Sequence, residues 1–192
     1  VRKAFVLLLL GMMVVSLGIF VSGCGLSAED QAIQYINRGD SYAYRMASEA
    51  ETLSMALEDF FAILQGPNPE TIINPGGPLE QYEAALDEVV SNSTSAQAEY
   101  HGVLTLDGVE KEATYATMMI AVAEKTAELM EFIDAWFNKA LDVIKTLDAT
   151  KIRAYLTGDE FEGGLADIDE MRAEIDKLAD EAKDYRLEET DF

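Results

Sequence analysis

All four prolines of the chain fall between residues 67 and 78, and that concentration limits what the rest can be. A proline inside a helix removes a hydrogen bond and clashes with the preceding turn, at about 3 kcal/mol or more. The stretches on either side are therefore free to run as long helices. Their apolar residues recur at alternating spacings of three and four, the signature of one helical face. Ala43, Met46, Ala50, Leu53, Leu57, Phe60 and Leu64 make the first stripe. Leu79, Tyr82, Leu86, Val89, Ser93, Ala96, Tyr100 and Val103 make the second. The third is the longest, with Tyr115, Met119, Val122, Thr126, Leu129, Ile133, Trp136, Ala140, Val143 and Leu147. No stretch alternates with period two for long enough to argue a strand.

Breakers and caps set the expected boundaries. Segment one spans 28–65, opened by Ser27 with Asp30 three residues on, a carboxylate form of the capping box, and ended by Gly66-Pro67. Gly39 is the place where it would kink or split. Segment two spans 79–103, with Pro78 suited to the first helical position and Ser91-Asn92-Ser93-Thr94-Ser95 as a weak stretch that would fray or bend. Asp107-Gly108 signals a turn, and Asp107 is the expected cap of segment three, 110–147. A short helical piece over 149–156 and a turn over 157–164 follow. Segment four, 165–186, carries Leu165, Ile168, Ile175, Leu178, Ala182 and Tyr185, with Lys177, Lys183 and Arg186 placed to complement the helix dipole. Together these imply an all-α fold, an antiparallel up-down four-helix bundle over residues 28–187 with a tail at 188–192. The 3.5-residue repeat favours a shallow left-handed supercoil, as in a coiled coil. Segments one and three would reach ~55–60 Å, so one of them must break or overhang its shorter neighbours.

The N-terminus has a different character. Arg2 and Lys3 precede an uncharged apolar run over residues 4–20. Val21, Ser22 and Gly23 then stand immediately before Cys24, the only cysteine. Positive n-region, apolar h-region and small residues at the cut site make up a secretory pattern. The tetrapeptide Val21-Ser22-Gly23-Cys24 resembles the lipobox of bacterial lipoproteins, with Val21 in place of the commoner leucine. The resemblance implies cleavage after Gly23 by the lipoprotein signal peptidase and a diacylglyceryl group on the Cys24 sulfur, often with a further acyl chain on the new amino group. Residues 1–23 are then a lipoprotein signal peptide and 24–27 a lipidated tether. The membrane is thus a partner through the anchor, since two or three acyl chains hold firmly where one would not. An uncleaved span of about 20 residues is the alternative. Either way the remainder lies on the extracytoplasmic side, because positive charge stays in the cytoplasm.

Charge and motifs exclude more than they assign. The chain holds 14 basic and 36 acidic residues, for a net charge of −22. Such a domain repels nucleic acid, whose phosphates need clustered Lys and Arg, while a basic partner or cations are attracted. One cysteine allows no intramolecular disulfide and no cysteine-based zinc site. His101 is the only histidine, and Ala98 three residues before it breaks the Glu-x-x-His pattern of di-iron bundles. Haem between His101 and Met46 or Met119 would require both to face one cavity. Asp159, Glu160, Glu162, Asp167, Asp169 and Glu170 miss the EF-hand spacing, so neither metal nor cofactor is expected. No nucleophile elbow or phosphate-binding glycine motif appears, which argues against an enzyme. Arg38-Gly39-Asp40 spells a tripeptide known from integrin ligands, but within a helical stretch.

Two roles remain. The first is a protein-interaction or spacer module of the cell envelope. Its contact would be Ile72 and Ile73, adjacent in the long proline-rich connection at 66–78, against a basic envelope protein. The second is a small-molecule or cation-binding bundle. A cavity with a few convergent polar groups favours the second, and a tightly filled core with an exposed apolar patch favours the first.

Overall fold

The computed structural model describes residues 26–64, 76–146 and 148–189. Within them the chain forms α1 (Ala28–Leu64), α2 (Pro78–Val103), α3 (Glu110–Ile144), α4 (Ala149–Leu156) and α5 (Asp159–Glu189), and no strand. Val21, Ser22, Gly23 and Cys24, the connection with Ile72 and Ile73, and residues 190–192 lie outside the described residues.

The fold is the all-α helical bundle that the periodicity implies. Phe60 of α1 and Tyr82 of α2 both meet Phe137 of α3, at ring separations of 4.6 and 4.0 Å. Near the other end, Tyr100 of α2 and Tyr115 of α3 both reach Asp40 of α1. Phe61 of α1 meets Phe161 near the start of α5, and Asp40 meets Arg186 near its end. These pairs fix α1 and α3 as parallel, with α2 and α5 running against them. Neighbours in sequence pack side by side, α1 on α2, α2 on α3 and α3 on α5, while α1 and α3 also approach across the diagonal.

Two apolar clusters fill the interior. One, around Phe60, Tyr82, Trp136, Phe137 and Phe161, lies at the end where α4 caps the bundle. The other, around Ile36, Tyr100, Val103, Tyr115 and Ala182, lies at the opposite end. Trp136 is buried, as its place in the third stripe requires. Three glycines allow the closest approaches. A Cβ on Gly39 would stand 2.6 Å from the Tyr100 ring, and one on Gly102 would stand 2.5 Å from the Tyr35 ring. α1 and α2 therefore interlock reciprocally, each glycine receiving a tyrosine of the other helix. Gly164 receives Trp136 in the same way, with 2.2 Å to its ring.

Several local expectations are corrected. Gly39 does not split α1; it is a seat for Tyr100. The weak stretch at 91–95 stays helical. Asn92, Thr94 and Ser95 donate to carbonyls four residues back, and buried Ser93 Oγ donates across to the Ala123 carbonyl at 2.8 Å. The capping box at Ser27 and Asp30 forms, whereas Asp107 does not cap α3. Val109 occupies that cap position with no side-chain cap bond. Its own burial decides the choice, because a Val sealing the core end replaces a polar cap. The expected turn at 157–164 is mostly helix, since α5 begins at Asp159. Phe161 and Gly164 both pack on Trp136, which holds the glycine pair in the helix, while Leu165 is 41% exposed. α3 ends at Ile144 rather than 147, and α5 runs to Glu189. Neither long helix breaks.

Candidate functional site

The bundle closes on three of its four sides. α1 and α5 bring no stretch of backbone into contact among the described residues, and a groove of about 590 Å³ lies between them. Its α1 wall is made of small side chains, Ala43, Ala47, Ala50 and Ser54, with Met46, Leu53 and Leu57 deeper. α3 supplies the floor through Met119, Val122, Leu129, Met130 and Ile133. The α5 wall is Ile168, Ile175 and Ala179, interrupted by Arg172 and Asp176. α2 contributes nothing to it.

The local sequence explains the opening. Residues 43, 47, 50 and 54 advance by four, three and four, so they share one face of α1. Alanine and serine there leave the space that leucine would fill. The surroundings hold that space open at both ends. At one end Phe61, Trp136, Phe161 and Tyr155 form an aromatic cluster of tilted and edge-on pairs. The indole N–H of Trp136 and the hydroxyl of Tyr155 are buried there without a hydrogen-bond partner among the described residues, as is the Tyr82 hydroxyl.

A polar clamp closes the other end. Tyr100 and Tyr115 hydroxyls donate to Asp40 Oδ1 at 2.8 and 2.9 Å. Arg186 donates to Asp40 Oδ2 and, at 3.3 Å, to the Tyr115 hydroxyl, while its guanidinium lies 5.2 Å from that ring's centroid. One carboxylate thus joins all four long helices. Burial, then the Asp40 charge, push the Tyr115 hydroxyl up to about 12 and the Tyr100 hydroxyl higher still. The same contacts account for Arg38-Gly39-Asp40. Arg38 pairs with Glu99 at 2.7 Å, Gly39 seats Tyr100, and Asp40 holds the clamp. The tripeptide is a packing element of the bundle.

Inside the groove the polar groups are few. Thr126 Oγ1 donates to the Val122 carbonyl at 2.9 Å. Ser54 lines it half-buried, while Glu51, Arg172 and Asp176 are exposed at its rim, none with a side-chain partner among the described residues. By contrast Lys125, on the outer side of the α3–α5 seam, bridges Glu128 and Glu174 at 3.2 and 3.0 Å, and these contacts raise its pKa.

The residues singled out from sequence fare unevenly. Met46 and Met119 both line the groove, but His101 is exposed on α2, away from it, so no Met–His pair is brought together. Asp159, Glu160 and Glu162 stand in the first turn of α5, where carboxylates complement the helix dipole. No group of three or more His, Cys, Asp or Glu is arranged to hold a metal among the described residues. The clamp left no trace in local sequence, for Asp40 and Arg186 are 146 residues apart. The groove did leave one, the run of small residues beside the first stripe. No known protein family, curated protein or solved structure matches the chain.

Proposed function

We propose that this chain is a lipid-tethered extracytoplasmic binding protein whose helical bundle holds an apolar or amphipathic molecule between α1 and α5. The groove is the observation that carries the proposal. Its volume of about 590 Å³ lies within the ~300–1,000 Å³ usual for ligand pockets, and its apolar walls with a few polar groups are the usual composition. Binding is favoured over catalysis because, among the described residues, no histidine or cysteine lines it. No described helix is long and apolar enough to cross a membrane, so the tether rests on the lipobox resemblance at Cys24.

A photoactivatable alkyl probe tests the groove. Label concentrated on peptides containing Ala50, Leu129 and Ile175 supports it, and label spread evenly over the surface rejects it. Mass spectrometry of the native N-terminal peptide tests the tether, which requires acyl chains on Cys24.

A second reading has its own observation. Tyr44 and Met55 on α1 are 78% and 54% exposed, and three helical turns separate them along one face. Contact with a basic envelope protein would use this face together with Ile72 and Ile73. Replacing Ile72 and Ile73 by serine would then reduce partner capture without lowering the unfolding midpoint.

A further inference from the structure

Resting on the groove reading above, we propose that the ligand is a single-chain zwitterionic amphiphile of the lysophospholipid kind. Its acyl chain lies along α3, and its headgroup sits between Arg172 and the carboxylates of Glu51 and Asp176.

Dimensions select the chain. From Ala43 to Leu57 the groove follows α1 for ~21 Å at 1.5 Å per residue. Lipid chains of one leaflet cover roughly half of the ~30 Å hydrocarbon core, so one chain fits lengthwise. Met46, Met119 and Met130 line the slot, and unbranched thioether side chains adapt to a flexible apolar chain.

Charge selects the head. In a protein with 36 acidic residues, Arg172 faces the groove with no ion-pair partner among the described residues. Asp176 stands one turn along the same helix, and the antiparallel packing sets Arg172 opposite the Glu51 turn of α1. Among the described residues no ion pair closes across the gap, which leaves an exposed guanidinium and two exposed carboxylates around its mouth. A guanidinium matches phosphate oxygens in a two-point fork, and carboxylates match an ammonium. A purely anionic amphiphile would meet Glu51, Asp176 and the net charge of −22, which repel it. A purely cationic one would leave Arg172 uncompensated. A head with both charges satisfies all three side chains.

Native mass spectrometry of the intact protein tests this, with lysophosphatidylcholine, lysophosphatidylglycerol and an alkyltrimethylammonium of equal chain length as probes. The wild type should retain one lysophosphatidylcholine, in preference to the other two. Arg172→Gln should lower retention of both phosphate-bearing probes about two- to fivefold, the range expected for an exposed charged contact. Glu51→Gln with Asp176→Asn should remove the preference for choline over glycerol. Equal retention of all three probes by the wild type, with Ala50→Leu abolishing it, would overturn the headgroup assignment and leave the groove standing. Retention unchanged by Ala50→Leu would overturn both.

Discussion

The α1–α2 seam and the α1–α5 seam are built on the same helix, yet one is closed and the other open. Toward α2, α1 offers Gly39 beneath the Tyr100 ring and receives Gly102 beneath Tyr35. Each missing Cβ is matched by a large aromatic, so small residues there mean close contact. Toward α5, α1 offers Ala43, Ala47, Ala50 and Ser54, and Ile168, Arg172 and Ile175 across the gap leave the space unfilled. Small residues on a helix face are therefore ambiguous by themselves. Their meaning is set by what the opposite helix places against them, and only the three-dimensional pairing supplies that.

The closed parts should be the least tolerant of change. Trp136→Ala should give the largest loss, about 3–5 kcal/mol for truncating a buried large aromatic, measured by denaturant unfolding. Trp136 seals the α4 end through Phe61, Phe161 and Gly164, so its loss would also loosen the groove. A ΔΔG near zero would mean that this end does not hold α5 in place.

A smaller loss is expected at the clamp. Asp40→Ala removes the acceptor shared by the Tyr100 and Tyr115 hydroxyls and the carboxylate partner of Arg186, at about 1–3 kcal/mol. The Asp40–Arg186 ion pair ties α1 to α5 at that end. Hydrogen exchange should therefore rise more in the last turns of α5 than in α2. Equal rises in both would show that the clamp braces the whole bundle rather than the open seam.

Alkaline pH probes the same clamp. The folded state holds the Tyr115 proton to about 12, against about 10 for a free tyrosine, because of burial first and Asp40 second, and Tyr100 is raised further by the same causes. Between those values the folded state binds more protons than the unfolded one, so stability falls as pH rises. This contribution is complete below pH ~10 and lost through ~12. Tyr82, raised by burial at the other end, adds to the decline. Tyr115→Phe should flatten the stability profile above pH ~10, and an unchanged slope would remove Tyr115 from the account.

Much of the architecture was legible because periodicity reports burial directly. Met46, Leu53, Phe60, Tyr82, Val89, Tyr100 and Trp136 were all placed on core stripes, and all are buried. The boundary errors share a cause. At Val109 and at Gly163-Gly164, tertiary packing outweighed local capping and breaker preferences, and no local rule carries that information. The groove was half legible. Ala43 and Ala50 were placed on an apolar face, but whether that face met a neighbour depended on α5, more than a hundred residues away. The clamp was not legible at all, since single charged residues far apart in sequence carry no pairing signal.

The most direct test of the contrast is one pair of enlargements on α1, Gly39→Val and Ala50→Leu, compared by equilibrium unfolding. The first drives a side chain into the Tyr100 ring and should destabilise by about 1–3 kcal/mol, as overpacking does. The second extends into the groove and should be neutral or stabilising by up to about 1 kcal/mol, as cavity filling does. A loss at Ala50→Leu as large as that at Gly39→Val would contradict the account, because it would mean that the α1–α5 seam is as closed as the seam with α2.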